Sequence, residues 1–169
     1  MAIVTSASAG QRAIGRGATI LQLRAPALTA RELEHEAAKL VQKASVPVLV
    51  SSRCDIAVAV GAAGVNLPER DIGVADARQL LGLRLIGRSV HSLDSAREAE
   101  AAGADFVIFG PVWPSRSHKG GEAQGLEALG KVAGAVRISV LAIGGVDMKR
   151  AEECLRAGAA GYAAIRMFE

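Results

Sequence analysis

The chain has 169 residues, of which 50% are hydrophobic, 22% charged and only 3% aromatic, and its formal net charge is +3. That length and apolar content predict one soluble domain with a core of Val, Ile, Leu and Ala, and no apolar run approaches the roughly 20 residues of a membrane helix. The basic residues are spread along the chain, with no basic tail and no interleaving with aromatics, which argues against nucleic acid as a partner and leaves small anionic ligands open.

Short apolar runs alternate with helical patterns from the first residues on. Strands are predicted at 2–5, 19–24, 46–51, 64–67, 84–89, 105–110, 139–144 and 161–166. A brief first helix falls near 8–16. The clearest helix spans 29–44, where Thr29 and Glu32 have capping-box spacing and Leu33, Ala37, Leu40 and Val41 share one face. The stretches SLDSAREAEAAG and DMKRAEECLRAG are predicted helices that end in glycine. A weak internal repeat runs through the chain, since Gly17-Ala18, Gly61-Ala62, Gly103-Ala104 and Gly158-Ala159 each precede a strand. Apolar strands alternating with helices in about eight units predict a closed (β/α)8 TIM barrel, an α/β fold with a parallel sheet, ahead of an open doubly wound sheet. The last predicted strand is followed only by Met167–Glu169, so the expected barrel lacks its eighth helix. Tyr162, Ala164 and Phe168 are then expected near exposed apolar surface, which predicts a homo-oligomer. Cys54 and Cys154 lie far apart without ligand spacing and are expected to be reduced thiols in helices. With no secretory signal pattern in MAIVTSASAG, the expected location is the cytoplasm.

A parallel barrel works at the C-terminal ends of its strands. That rule brings Gln22 and Arg24, Ser51, Ser52 and Arg53, Asn66, Glu69 and Asp71, Arg88, Ser89 and His91, and Arg166 to one mouth. The arginines favour a ligand with more than one negative group. Gly144 and Gly145, between strand seven and its helix, together with Ile165 and Arg166 after strand eight, stand where such barrels bind phosphate. His35 is expected on a solvated helix face, and His91 in a structural hydrogen bond. His118 lies in the loop FGPVWPSRSHKGG, shaped by Pro111, Pro114, Gly120 and Gly121. An imidazole arching over the mouth is a candidate proton carrier.

The pieces QLR, SSRCDIA, GVNLPERD, GRSVHS, GPVWPSRSHKG, AIGG and GAAGYAAI, in this order, resemble the thiamine phosphate synthase superfamily over nearly the whole chain. The resemblance implies a (β/α)8 barrel that handles thiazole phosphates in thiamin biosynthesis. One branch, the synthases, joins a pyrimidine diphosphate to a thiazole phosphate, using Mg2+ held by two aspartates and lysines on the diphosphate. Here Ser51-Ser52 replaces the usual Asn-Asp, Asp71 matches the other aspartate, and Ala25 stands where a lysine follows QLR. Ser117-His118 stands where a synthase has Thr-Lys. The other branch, TenI-like thiazole tautomerases, carries a histidine in a setting similar to SRSHKGG. The expectation drawn from these departures is an isomerase that needs no metal and no cofactor. His118 would be its acid-base group, Gln22, Arg24, Ser51, Ser89 and Ser117 would contact a carboxythiazole phosphate, and Gly144, Gly145, Ile165 and Arg166 would hold the phosphate. The alternatives are an Mg2+-dependent synthase and a non-catalytic thiazole-phosphate-binding protein.

Overall fold

The computed structural model describes residues 1–114 and 122–169. Its strands are β1 (Ala2–Val4), β2 (Leu21–Leu23), β3 (Val48–Ser51), β4 (Gly64–Leu67), β5 (Leu85–Val90), β6 (Phe106–Phe109), β7 (Ser139–Ile143) and β8 (Gly161–Ala163). They pair in parallel in chain order, β1 beside β2 and so on to β8. A parallel bridge from Ala2 to Ala164 closes the ring, with the Ile3 amide donating to the Ala164 carbonyl at 3.0 Å and the Ala164 amide to Met1 at 3.1 Å. This is the expected TIM-barrel-like α/β fold.

Among the described residues seven α-helices cover the sheet: α1 (Ala7–Gly15), α2 (Ala30–Lys43), α3 (Cys54–Ala59), α4 (Val74–Leu81), α5 (Leu93–Ala101), α6 (Gly125–Ala135) and α7 (Met148–Arg156). The capping box of α2 forms, with Thr29 Oγ1 accepting from the Glu32 amide and Glu32 Oε2 from the Thr29 amide. The Gly-Ala repeat acquires a physical meaning. Gly17, Gly61, Gly103 and Gly158 all have positive φ, and the alanine after each turns its amide back onto a carbonyl five residues earlier. That is the Schellman end of a helix, which only glycine enters without strain. Each such alanine is buried, so the motif ends the helix and seats the next strand in one step.

Two apolar layers result. Leu21, Leu23, Val48, Val50, Val65 and Leu67 pack outward against the helices, while Ile3, Leu49, Phe106, Ile108 and Ala163 form a separate cluster within the barrel. Gly87 makes room for the interior, since a Cβ there would lie 2.1 Å from the Phe106 ring. The terminal segment departs from expectation. A 3-10 turn, Arg166–Phe168, tucks Phe168 into the outer core, so that Phe168 and Ala164 are each only 7% exposed and Tyr162 is half-buried. The apolar surface invoked for self-association is therefore already covered within the chain. No helix of the described residues is long and apolar enough to cross a membrane.

Candidate functional site

The strand ends converge on a cavity of about 320 Å³ at the barrel mouth. Gln22, Arg24, Ser51, Ser89, Gly144, Gly145, Ile165 and Arg166, all expected from the sequence, line it together. Ser117 and His118 lie outside the described residues. Asn66, Glu69 and His91, brought to the mouth by the strand-end rule but given no ligand contact there, also line the cavity.

Gly144 and Gly145 have φ of 95° and 68°, and their surroundings leave no room for side chains. A Cβ on Gly144 would lie 2.6 Å from Pro111 Cα, and one on Gly145 would lie 2.7 Å from Trp113 Cβ. The loop is fixed from behind. Trp113 donates its amide to the Gly144 carbonyl at 3.1 Å, and Arg150 donates to the Gly145 carbonyl at 2.8 Å while stacking over the Trp113 ring. The carbonyls are thus occupied, whereas none of the described residues accepts from the amides of Gly144, Gly145, Ile165 or Arg166. Backbone amides left without an acceptor beside a cavity suit an anion.

Not every arginine at the mouth is available. Arg53 is taken by Asp55, with hydrogen bonds of 2.8 and 2.5 Å. Arg88 donates to the carbonyls of Ile72 and Glu69, both at 2.7 Å, and so braces the loop after β4. Arg24 and Arg166 line the cavity, are exposed, and have no carboxylate partner among the described residues.

The deep wall is polar and incompletely paired. Asn66 sits within β4 and is 3% exposed; its Nδ2 donates to Ser89 Oγ at 3.0 Å, while its Oδ1 has no partner among the described residues. Gln22 is 2% exposed and its Oε1 is also unpartnered. An unpaired buried acceptor costs about 1–3 kcal/mol, which a fold retains where a ligand supplies the missing donor. The signal for Asn66 was present in the sequence, as a polar residue inside the apolar run GVNL. His91 was expected only in a structural hydrogen bond. Its Nδ1 does contact the Gly110 carbonyl, so that nitrogen carries the proton, and its Nε2 stands 4.0 Å from Glu69 Oε2 at the cavity edge.

The donor set at the mouth does not fit a carboxylate-held Mg2+. Asp71, the aspartate matched by the resemblance, does not line the cavity, and its Oδ1 accepts from the Ile72 amide at 2.8 Å. Glu69 is the one acidic residue among the described cavity residues, and its Oε1 accepts from the His91 amide at 3.2 Å. No group of three His, Cys, Asp or Glu among the described residues could hold a metal ion. Ser52 has φ of 66°, in the left-handed region that Asp and Asn enter far more readily than Ser. The backbone there keeps a conformation suited to aspartate, while the side chain carries no charge.

A family model described as thiamine monophosphate synthase matches residues 4–168. A protein named putative thiamine-phosphate synthase from Geobacter sulfurreducens is 41% identical, over 98% of this chain and 77% of that protein. The thiamine-phosphate synthase of Chloroflexus aurantiacus is 37% identical, over 92% of this chain and 74% of its own. Among solved structures, thiamine phosphate pyrophosphorylase from Pyrococcus furiosus superposes with a TM-score of 0.88 at 33% identity, over 97% of this chain and 84% of that one. These relatives overturn the expected isomerase. That expectation rests on a few positions, Ala25, Ser51, Ser52 and His118, whereas the likeness of the whole chain is to proteins named as synthases. The proton-shuttle role expected of His118 falls on a residue outside the described ones.

Proposed function

The chain belongs to the thiamine monophosphate synthase family, and on that premise we propose that it is a thiamine-phosphate synthase, a transferase that joins a pyrimidine diphosphate to a thiazole phosphate. The observation that carries this reading is one cavity combining amides at Gly144, Gly145, Ile165 and Arg166 with amide oxygens on Gln22 and Asn66, none of which has a partner among the described residues. The first set suits a phosphate, and the second suits N–H donors on a heterocycle. The lone pair of the thiazole nitrogen forms the new C–N bond. The C–O bond to the diphosphate breaks, and its electron pair leaves on the diphosphate oxygen. No electrons are exchanged with another reagent, and no proton transfer is required.

In this reading the protein positions two anionic reactants for in-line displacement and stabilises the departing charge. The amides after β7 and β8 hold the thiazole phosphate. Gln22 and the Asn66–Ser89 pair orient the pyrimidine, and Arg24 faces the diphosphate. In the family, Mg2+ supplies charge neutralisation on a diphosphate; the residues at this mouth do not fit it. Free, buried Cys54 and Cys154 suit a reducing compartment, which supports a cytoplasmic location. Self-association would use surface other than Phe168, such as Leu80 and Leu83, which are 62% and 104% exposed.

The test offers purified protein both substrates and follows thiamine phosphate by mass and released pyrophosphate by a coupled assay. Product should require both substrates. Absence of product with folded protein, with or without added divalent metal, would remove the reading.

A further inference from the structure

A diphosphate ester brings more than one negative charge to a site, and proteins meet that charge either with a metal held by one or two carboxylates or with side-chain cations. At this mouth the carboxylates are committed elsewhere. Asp71 accepts from the Ile72 amide and lies off the cavity, and Glu69 accepts from the His91 amide and faces its ring. The position after Ser51 keeps a left-handed backbone but bears only the Ser52 hydroxyl.

The cations are distributed the opposite way. Arg24 ends β2 and Arg166 follows β8, and only β1 stands between those strands in the closed ring. Both residues belong to the cavity lining and are exposed, and neither has an acidic partner among the described residues. Arg53 and Arg88, by contrast, are consumed by Asp55 and by loop carbonyls. A guanidinium stays charged throughout the working pH range and binds phosphate oxygens in pairs, so two of them on one side of a mouth form an anion site by themselves.

We infer that this protein meets the charge of its diphosphate ligand with Arg24 and Arg166 and not with a carboxylate-held divalent metal ion. The inference rests on the synthase reading for the identity of the ligand, and its test is separate from turnover. Inorganic pyrophosphate is titrated into the intact protein by calorimetry, first in EDTA and then with excess Mg2+. Binding is expected in EDTA. Because Mg2+ sequesters pyrophosphate in solution, added metal should leave the apparent affinity unchanged or lower it. Arg24→Gln and Arg166→Gln should each weaken binding by about tenfold, the loss expected for a charge-assisted hydrogen bond. Arg166→Lys, which keeps the charge, should retain more affinity than Arg166→Gln, and circular dichroism checks that each variant is folded. Ser52→Asp should make binding rise with Mg2+. Pyrophosphate that binds only after Mg2+ is added, binds tenfold tighter with it, or binds in neither condition overturns the inference. Metal-free binding without coupling activity removes the synthase reading and leaves the cationic site standing.

Discussion

Replacing Asn66 with leucine should stabilise the ligand-free protein while weakening its hold on ligand. The two side chains are nearly equal in size, so the exchange removes polarity without opening a cavity. Two effects oppose each other. Loss of the hydrogen bond from Nδ2 to Ser89 Oγ costs about 1 kcal/mol, and loss of a buried acceptor without a partner, Oδ1, returns about 1–3 kcal/mol. The balance is a gain of about 1 kcal/mol, which for a domain of this size raises the melting temperature by about 2–4 °C. Ligand binding moves the other way. Ser89 loses the donor that fixes its hydroxyl at the cavity wall, and the ligand loses an acceptor, so affinity for the pyrimidine diphosphate should fall by about tenfold. Thermal melting followed by circular dichroism gives the first quantity, and calorimetry gives the second. A lower melting temperature together with unchanged affinity would refute the reasoning, because it would mean that Asn66 serves the fold and that its Oδ1 is not held for a ligand.

Glu36 on α2 accepts from the Ala7 amide at 2.8 Å and so caps α1 from a neighbouring helix. That hydrogen bond is the largest cause of a carboxyl held below its usual range, so its stabilisation is present above the unfolded carboxyl's pKa and lost as pH falls through the folded one. Glu36→Ala should cost about 1 kcal/mol at neutral pH, and denaturant titrations of wild type and variant should converge on acidification. Burial pushes the Cys154 thiol up to about 11, so at pH 8 only about one molecule in a thousand carries the thiolate, and a thiol reagent should label it only after denaturation. Rapid labelling of the folded protein at Cys154 would show that α7 opens. Light scattering at micromolar concentration should return more than one chain per particle, and Leu83→Glu should lower that mass; a single-chain mass for wild type would remove self-association.

The barrel was legible because its signals are local. Each Gly-Ala pair sets a helix end and a strand start within a few residues, and Thr29 with Glu32 closes its capping box over a single turn. Strand boundaries were less accurate: the stretch 19–24 contributes only Leu21–Leu23 to the ladder, since Ile20 and Arg24 lie beyond its pairing. The mouth was legible to the same extent, because position at a strand's end follows from chain order alone. Which groups at that mouth are spoken for was not legible. Arg88 reaches back 16 and 19 residues to the carbonyls of Ile72 and Glu69, and Glu36 reaches 29 residues to Ala7. Such pairings exist only once the strands are closed. Phe168 illustrates the same limit, since its burial depends on a 3-10 turn that folds it onto the outer core.

The choice of reaction failed for a related reason. Ala25 and Ser52 lie on loops and Ser51 ends β3, and in this architecture side chains at strand ends and on loops change without disturbing the strands that carry them. A missing carboxylate therefore reports how charge is handled at one corner of the mouth, and it does not report which bond is made there. The bond follows from what the cavity as a whole can hold. Amides after β7 and β8, oxygens on Gln22 and Asn66 without a partner among the described residues, and two arginines without a carboxylate there suit two anionic, nitrogen-bearing reactants side by side. Both anions of a carboxythiazole phosphate would stay on one ring through an isomerisation, whereas a transfer parts two charged reactants. The arrangement of Arg24 and Arg166 thus bears on the reaction as well as on the metal, because a site with two separate anchors for charge is one in which a charged fragment can leave while the other stays bound.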